Sequence, residues 1–145
     1  MVREDLTAGT DWHNRNIHLV GVGGIGMSAL AQVLRGRGAV VSGSDIHPSP
    51  LTERLVQAGI HFFPGHCGAN IEGKELVVAS AAIPEDNVEL EAARRLGKPI
   101  WGRARLLVEV SKGYRTLAIA GTHGKTTTTS MLGWTLTQAG YDPTI

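Results

Sequence analysis

The sequence has few features that would place the protein outside a reducing aqueous compartment. One cysteine, Cys67, occurs among 145 residues, which excludes an internal disulfide. No apolar run approaches the ~20 residues that cross a bilayer. The first residues, which include Arg3, Glu4 and Asp5, lack the basic-then-apolar order of a signal peptide. Together these features predict a cytoplasmic protein.

Charge of one sign and aromatic residues are also scarce. The formal net charge is +1, so neither a basic surface for nucleic acid nor an acidic disordered arm is expected. No spacing of His, Cys, Asp and Glu predicts a structural metal site. Hydrophobic residues make up 42% of the chain, as in ordinary globular proteins. The length suits one domain, or one domain and part of a second.

Short apolar runs alternate with helical patterns after a polar leader at residues 1–15, which is expected to be flexible and loosely held. This alternation predicts an α/β fold with a Rossmann-like, doubly wound and mostly parallel sheet. The predicted strands are 17–22, 39–43, 61–63, 75–79, 100–101 and 115–120. The predicted helices are 24–35, 52–58, 87–96, 104–110 and 124–139, with Thr52 as the N-cap of the second.

The best candidate for a domain boundary is Lys112-Gly113. Residues 16–111 then form one small domain, which the resemblance described below implies to be a UDP-sugar-binding domain. Residues 112–145 contain a single strand–loop–helix unit that is too short to bury a core of its own. We therefore expect this unit to be the start of a second, truncated domain.

A phosphate-binding loop is predicted where the apolar run 117–120 meets the last helix. The motif is G-x-x-G-K-T, followed by further threonines, which are poor helix formers and need another reason to be there. Small residues let backbone N–H groups surround a triphosphate, Lys125 supplies a point charge, and the Thr126 hydroxyl can hold Mg²⁺. The predicted ATP-binding residues are Gly121, Thr122, His123, Gly124, Lys125, Thr126 and Thr127. Lys125 and Thr126 are the predicted catalytic residues, and Thr126 is also the predicted metal ligand.

Another glycine-rich loop lies near the start of the chain, at residues 21–26. Gly21, Gly23 and Gly26 form G-x-G-x-x-G between a predicted strand and a predicted helix. Such glycines allow a tight turn, close approach to a diphosphate and close helix packing. Asp45 ends the next predicted strand, where an acid that binds ribose would lie. It could also serve as a turn or N-cap residue, and the two roles are compatible.

The presence of two phosphate loops in one chain favours chemistry that joins a nucleotide-linked substrate to ATP. We therefore favour a ligase. Two alternatives stay open. One is a binding module without catalytic activity, whose ligand the resemblance below implies to be a UDP-sugar, and the other is a nicotinamide-dependent oxidoreductase that uses the loop at 21–26.

The sequence resembles the Mur ligases of bacterial peptidoglycan synthesis. The resemblance lies in four segments and covers residues 16–145: IHLVGVGGIGMS at 17–28, VSGSD at 41–45, SAAIPEDN at 80–87 and GTHGKTTTTSM at 121–131. Within the family, the stretch Gly24-Ile25-Gly26-Met27-Ser28 favours the members that add L-alanine over those that recycle a murein tripeptide.

The resemblance implies a specific reaction and a set of substrate contacts. ATP with Mg²⁺ would phosphorylate the lactyl carboxylate of UDP-N-acetylmuramate, and the L-alanine amine would attack the acyl phosphate. The fragment alone is expected to be inactive. The residues implied to bind the sugar nucleotide are Gly23, Gly24, Ile25, Gly26, Met27, Ser28, Asp45, His66, Ser80, Ala81 and Arg103.

Overall fold

The computed structural model describes residues 10–112 and 114–143. Their contacts separate into two units, which divide between Gly113 and Tyr114. The first unit contains a five-stranded sheet in which every pair of neighbouring strands is parallel. The predicted fold class is therefore confirmed.

The strands of the sheet lie in the order β3-β2-β1-β4-β5. The bounds are β1 Asn16–Val20, β2 Val40–Asp45, β3 His61–Pro64, β4 Leu76–Ala79 and β5 Ile100–Gly102. Because β1 pairs with both β2 and β4, it lies at the centre. Its last four residues are buried, as expected of a strand covered on both faces.

Helices connect the strands and cover both faces of the sheet. The bounds in the first unit are α1 Ile25–Gly36, α2 Pro50–Gln57, α3 Val88–Arg95 and α4 Arg103–Ser111, with a 3₁₀ turn at Gly68–Ile71 that the sequence analysis did not predict. Leu34 of α1 and Leu106 of α4 pack with Ile17 and Leu19 of β1. Val20, which points to the opposite face, packs with Leu90 of α3.

The N-cap of α2 differs from the prediction. Ser49, not Thr52, caps the helix: its hydroxyl accepts the N–H of Thr52 at 3.4 Å, and the Thr52 hydroxyl accepts the N–H of Ser49 at 2.9 Å. Pro50 occupies the first helical position, where proline is favoured because its missing N–H would have no partner there. The reciprocal pair is a capping box that places Thr52 inside the helix.

Part of the expected leader packs against the first unit. Trp12 is 2% exposed and belongs to the larger core cluster. Its ring meets that of Trp101 edge-on, with the centroids 6.3 Å apart. The N–H of Asn14 donates to the Gly38 carbonyl at 2.9 Å. Residues 10–15 are therefore held by the core rather than loosely, because one large apolar side chain outweighs the polar residues around it; residues 1–9 lie outside the described residues.

The second unit contains one helix, α5 Lys125–Gln138, among its described residues 114–143. The strand predicted at 115–120 is not formed there. A strand requires a hydrogen-bonded neighbour, and the described part of this unit contains no other extended segment that pairs with it.

Candidate functional site

Five of the predicted contact regions meet at the carboxyl edge of the sheet. The loop at 21–26 follows β1, Asp45 ends β2, His66 follows β3, Ser80 follows β4 and Arg103 follows β5. Because all five strands are parallel, these positions lie at the same edge. The strand order reverses between β1 and β4, and the crevice at such a switch point is where open α/β sheets bind ligands.

The glycine loop turns sharply at Gly21 and leads directly into α1. Gly21 has a φ of +80°, and its N–H donates to the Ser44 carbonyl at 2.8 Å. A Cβ built on Gly21 would lie 3.1 Å from the Cβ of Ser80 and 3.2 Å from the Ile83 side chain. Glycine is therefore required both by the backbone conformation and by the closeness of the β4 loop.

The first turn of α1 leaves backbone N–H groups available to an anion. Within residues 23–28, the N–H of Gly23 donates to Asp45, that of Gly24 to Gly21, and those of Met27 and Ser28 to the Gly24 carbonyl. Among the described residues, Ile25 and Gly26 have N–H groups with no protein acceptor in this stretch. Such groups carry the positive end of the helix dipole.

Arg103 adds a formal positive charge beside that helix start. A Cβ built on Gly26 would lie 2.6 Å from Nη1 of Arg103, so the guanidinium lies against the α1 backbone. Arg103 is the first residue of α4 and is exposed. A helix N-terminus and a guanidinium at one position form a surface suited to a phosphate or diphosphate.

The carboxylate of Asp45 ties β2 to the glycine loop. Its Oδ2 accepts the N–H of Gly23 at 2.9 Å, and its Oδ1 accepts the N–H of His47 at 3.0 Å. Each carboxylate oxygen has a second lone pair, so both can still accept a ligand hydroxyl. The turn role and the ribose-binding role considered for Asp45 are compatible in this arrangement.

The remaining predicted contact residues differ in how much of their side chains is exposed. The Met27 side chain is 2% exposed and lies in the core, and the Ser28 hydroxyl donates to the Ile25 carbonyl at 2.9 Å. These two residues can offer a ligand little beyond backbone. Ile25 is 80% exposed, Ala81 is also exposed, and Ser80 is half-buried beside Gly21.

A buried polar cluster that the sequence analysis did not identify lies behind His66. Nδ1 of His66 is 2.8 Å from Oε2 of Glu89, and the Ser44 hydroxyl donates to the same oxygen at 2.5 Å. Oε1 accepts an amide N–H from Asn70 at 2.7 Å. Nε2 of His18 lies 3.3 Å from Oε1, outside good hydrogen-bond geometry. We name these five residues the Glu89 cluster.

The Glu89 side chain is fully buried, and the hydrogen-bond donors around it favour the ionised carboxylate. Burial by itself raises the pKa of Glu89, but the contacts from His18, Ser44 and Asn70, together with the charge of His18, outweigh burial and lower the pKa to about 2. The sequence did contain a signal: polar His18, Ser42 and Ser44 interrupt strands that are otherwise apolar. The N-cap of α3 is Asn87, whose side chain accepts the N–H of Glu89 at 2.9 Å.

The loop that is predicted to bind ATP, at residues 121–127, is exposed throughout. Residues 121–128 are all exposed, and Gly124 precedes α5 with a φ of +78°. Nζ of Lys125 donates to the Gly121 carbonyl at 2.6 Å, so the lysine reaches back across the loop. An ammonium, a threonine hydroxyl at Thr126 and a helix N-terminus are the donor types that a magnesium-bound triphosphate requires.

Two kinds of feature are missing from the part of the chain that the structure describes. No helix there is both long enough and apolar enough to span a bilayer. Over the same residues, no group of three or more His, Cys, Asp or Glu side chains could hold a metal ion.

Comparison with known proteins gives consistent matches. A family model described as Mur ligase family, catalytic domain, matches residues 16–115. The UDP-N-acetylmuramate–L-alanine ligase of Symbiobacterium thermophilum is 54% identical over 132 residues, which are 90% of this chain and 27% of that protein. The ligase of the same name from Gloeobacter violaceus is 50% identical over 128 residues, or 88% of this chain and 28% of that protein.

Solved structures give the same result. The UDP-N-acetylmuramate–alanine ligase MurC from Thermotoga maritima superposes with a TM-score of 0.82 at 37% identity, covering 90% of this chain and 31% of that one. The UDP-N-acetylmuramate:L-alanyl-γ-D-glutamyl-meso-diaminopimelate ligase from Neisseria meningitides gives 0.80 at 34%, covering 88% and 40%. The chain thus spans less than half the length of each of these relatives.

Proposed function

Because the chain belongs to the Mur ligase family, as its sequence predicted, we propose that its first unit binds UDP-N-acetylmuramate. We further propose that it serves an ATP-dependent ligase that joins L-alanine to the lactyl carboxylate of this substrate in peptidoglycan precursor synthesis. Relatives that carry this name support the assignment at 54% and 50% identity. Since the chain covers 27% of the first of these relatives, the complete reaction is assigned to a longer enzyme.

The observation that carries the proposal is the position of Arg103 against the start of α1. The guanidinium contacts Gly26, where the helix also presents free backbone N–H groups. A diphosphate at this position would be partly neutralised by the guanidinium and would accept hydrogen bonds from the N–H groups of Ile25 and Gly26. The other predicted backbone contacts, Gly24, Met27 and Ser28, would shape this loop.

The neighbouring strand ends supply contacts for the rest of a sugar nucleotide. Asp45 would accept a ribose hydroxyl with lone pairs that Gly23 and His47 leave free. Ser80 and Ala81 follow β4 on the other side of the glycine loop, and His66 follows β3. These positions surround the switch point, which is the usual place for a nucleotide in this fold.

The second unit would bind ATP. Lys125 would exchange its contact with the Gly121 carbonyl for the β- and γ-phosphates, Thr126 would ligate Mg²⁺, and the N–H groups around Gly124 would hold phosphate oxygens. Thr122, His123 and Thr127 complete this loop. When bound, ATP with Mg²⁺ would supply the phosphoryl group that activates the lactyl carboxylate. The loop's own contribution is to position and neutralise charge.

Calorimetric titration of the 145-residue chain tests the first part of the proposal. UDP-N-acetylmuramate should bind to the wild-type chain, and binding should weaken in Arg103→Met but not in the matched variant Arg95→Met, which removes an exposed arginine of α3. NAD should give no comparable heat. Binding of NAD together with no response to UDP-N-acetylmuramate would favour the oxidoreductase alternative and refute the assignment.

A further inference from the structure

Among the residues that the structure describes, Glu89 is the one carboxylate contacted by side chains from four other segments. Its partners come from β1, β2, the loop after β3 and the 3₁₀ turn. Glu89 itself is the second residue of α3 and is fully buried. Its only titratable neighbours among the described residues in contact with it are His18 and His66; the other two partners, Ser44 and Asn70, are neutral.

The ionised carboxylate determines where protons lie in the cluster. A carboxylate accepts hydrogen bonds and cannot donate them. The Ser44 hydroxyl must therefore point its hydrogen at Oε2, and His66, whose Nδ1 is 2.8 Å from the same oxygen, must carry a proton on Nδ1. Ser44 cannot supply an alternative donor to Nδ1, because its single hydrogen is already committed to Glu89.

The other ring nitrogen of His66 is then free to contact a ligand. The His66 side chain keeps 15% of its surface exposed, whereas that of Glu89 has none. Among the described residues, the buried side-chain nitrogens and oxygens without a hydrogen-bond partner are Trp12 Nε1 and His18 Nε2. His66 Nε2 makes no hydrogen bond within the described residues and is not one of these buried atoms, so it is open to solvent. In a neutral imidazole protonated on Nδ1, Nε2 is a hydrogen-bond acceptor.

We propose that Glu89 is a positioning residue that holds His66 in the Nδ1–H form, so that Nε2 accepts a hydrogen bond from an N–H or O–H donor of the bound sugar nucleotide. This inference deepens the proposed function and rests on it for the identity of the ligand. His66 would then contact a neutral donor group of the ligand, and Arg103 and the start of α1 would bind the diphosphate. A phosphate oxygen, which is itself an acceptor, would not be matched by an unprotonated Nε2.

The protonation state is tested without any ligand. Nitrogen-15 spectra of the imidazole rings are recorded on the 145-residue chain at pH 8, above the ordinary titration range of imidazoles. The wild-type chain should show His66 with the proton on Nδ1, as should Glu91→Gln, which changes an exposed glutamate of the same helix. Glu89→Gln should shift His66 toward the other form, because a glutamine amide offers a donor in place of one carboxylate oxygen. A wild-type His66 protonated on Nε2 would overturn the proposal, and this arm needs no variant to fold.

The link to the ligand is tested by calorimetry with UDP-N-acetylmuramate. His66→Ala should weaken binding about 10-fold, the usual size of one net hydrogen bond. Glu89→Gln should weaken it by a similar factor, and the double variant should be no weaker than His66→Ala alone, since Glu89 acts through His66. If the losses of affinity in the two single variants instead multiply in the double variant, the inference is overturned.

Titration of the same variants with UDP locates the donor. An equal loss for UDP places the donor on the uridine, and a loss confined to UDP-N-acetylmuramate places it on the amino sugar; either result supports the proposal. No loss in His66→Ala with either ligand refutes it. If the wild-type chain binds neither ligand, the proposed function fails and the ligand half of this inference fails with it, whereas the ring spectra still decide the role of Glu89 in positioning His66.

Discussion

The guanidinium of Arg103 lies so close to Gly26 that a Cβ on the glycine would be 2.6 Å from Nη1. The two residues are far apart in sequence, and they meet because α4, which begins at Arg103, packs on the same face of the sheet as α1. This contact is the basis of the first prediction.

Gly26→Ala should weaken binding of UDP-N-acetylmuramate about 10-fold and leave the free energy of unfolding nearly unchanged. The new methyl group would displace the end of a flexible side chain and not backbone, so the fold tolerates it while the charge moves away from the diphosphate. Calorimetry and denaturation measure the two effects. Gly36→Ala at the end of the same helix, where a Cβ meets nothing within 4 Å, should keep full affinity. Equal affinity of the two variants would contradict the proposed role of Arg103.

Asp45→Asn should reduce the free energy of unfolding by about 1–2 kcal/mol. Both carboxylate oxygens accept backbone N–H groups, from Gly23 and His47, and an asparagine can satisfy only one of them. Denaturant titration measures the change, with the exposed Asp86→Asn as the control. A loss no larger than that of the control would mean that these two hydrogen bonds contribute little.

Glu89 should contribute stability that acid removes. Its pKa is lowered from 4.5 to about 2, against the opposing effect of burial and through its contacts with His18, Ser44 and Asn70. Because the folded-state pKa lies below the unfolded one, the contribution is complete above about pH 4.5 and is lost as the pH falls toward about 2. The shift corresponds to roughly 3 kcal/mol.

Unfolding measured between pH 7 and pH 2 therefore separates Glu89→Gln from the wild type. The variant should be less stable at neutral pH, and the difference should shrink across the window below pH 4.5. The free energy of unfolding of Glu91→Gln should follow that of the wild type at every pH. A constant difference between Glu89→Gln and the wild type at all pH values would show that the carboxylate does not titrate as stated.

Trp12→Ala should destabilise the chain by about 3–5 kcal/mol, since it empties a large buried site. Trp12→Phe should cost far less, because it retains most of the apolar contact and removes a buried N–H that has no partner. Trp134→Ala is the matched control, as that side chain is 68% exposed. Similar melting temperatures for the two alanine variants would contradict the packing of residues 10–15.

Lys125→Ala, made in a full-length ligase that contains this segment, should abolish ATP-dependent phosphate release and change the affinity for UDP-N-acetylmuramate less than twofold. The lysine belongs to the second unit, whereas the proposed sugar-nucleotide contacts belong to the first. Calorimetry and a phosphate-release assay measure the two properties. Loss of both would mean that the two sites are not separate.

Local signals made much of this architecture predictable. The Gly21–Gly26 loop and its flanking strand and helix depend on backbone preferences of neighbouring residues. The predictions that were wrong involved partners outside the local window. Thr52 yielded the cap position to Ser49, and the strand at 115–120 found no neighbour to pair with among the described residues of its unit.

The family and the α/β fold were determined by the sequence alone, because motif spacing and hydrophobic periodicity are properties of the chain read in order. Which side chains share a proton or a charge was decided by the tertiary structure. His18, His66 and Glu89 come from β1, the loop after β3 and α3, and only the folded parallel sheet brings them into contact. The physical reason is that the energy of a buried charge depends on the groups that surround it in space, whatever their distance along the chain.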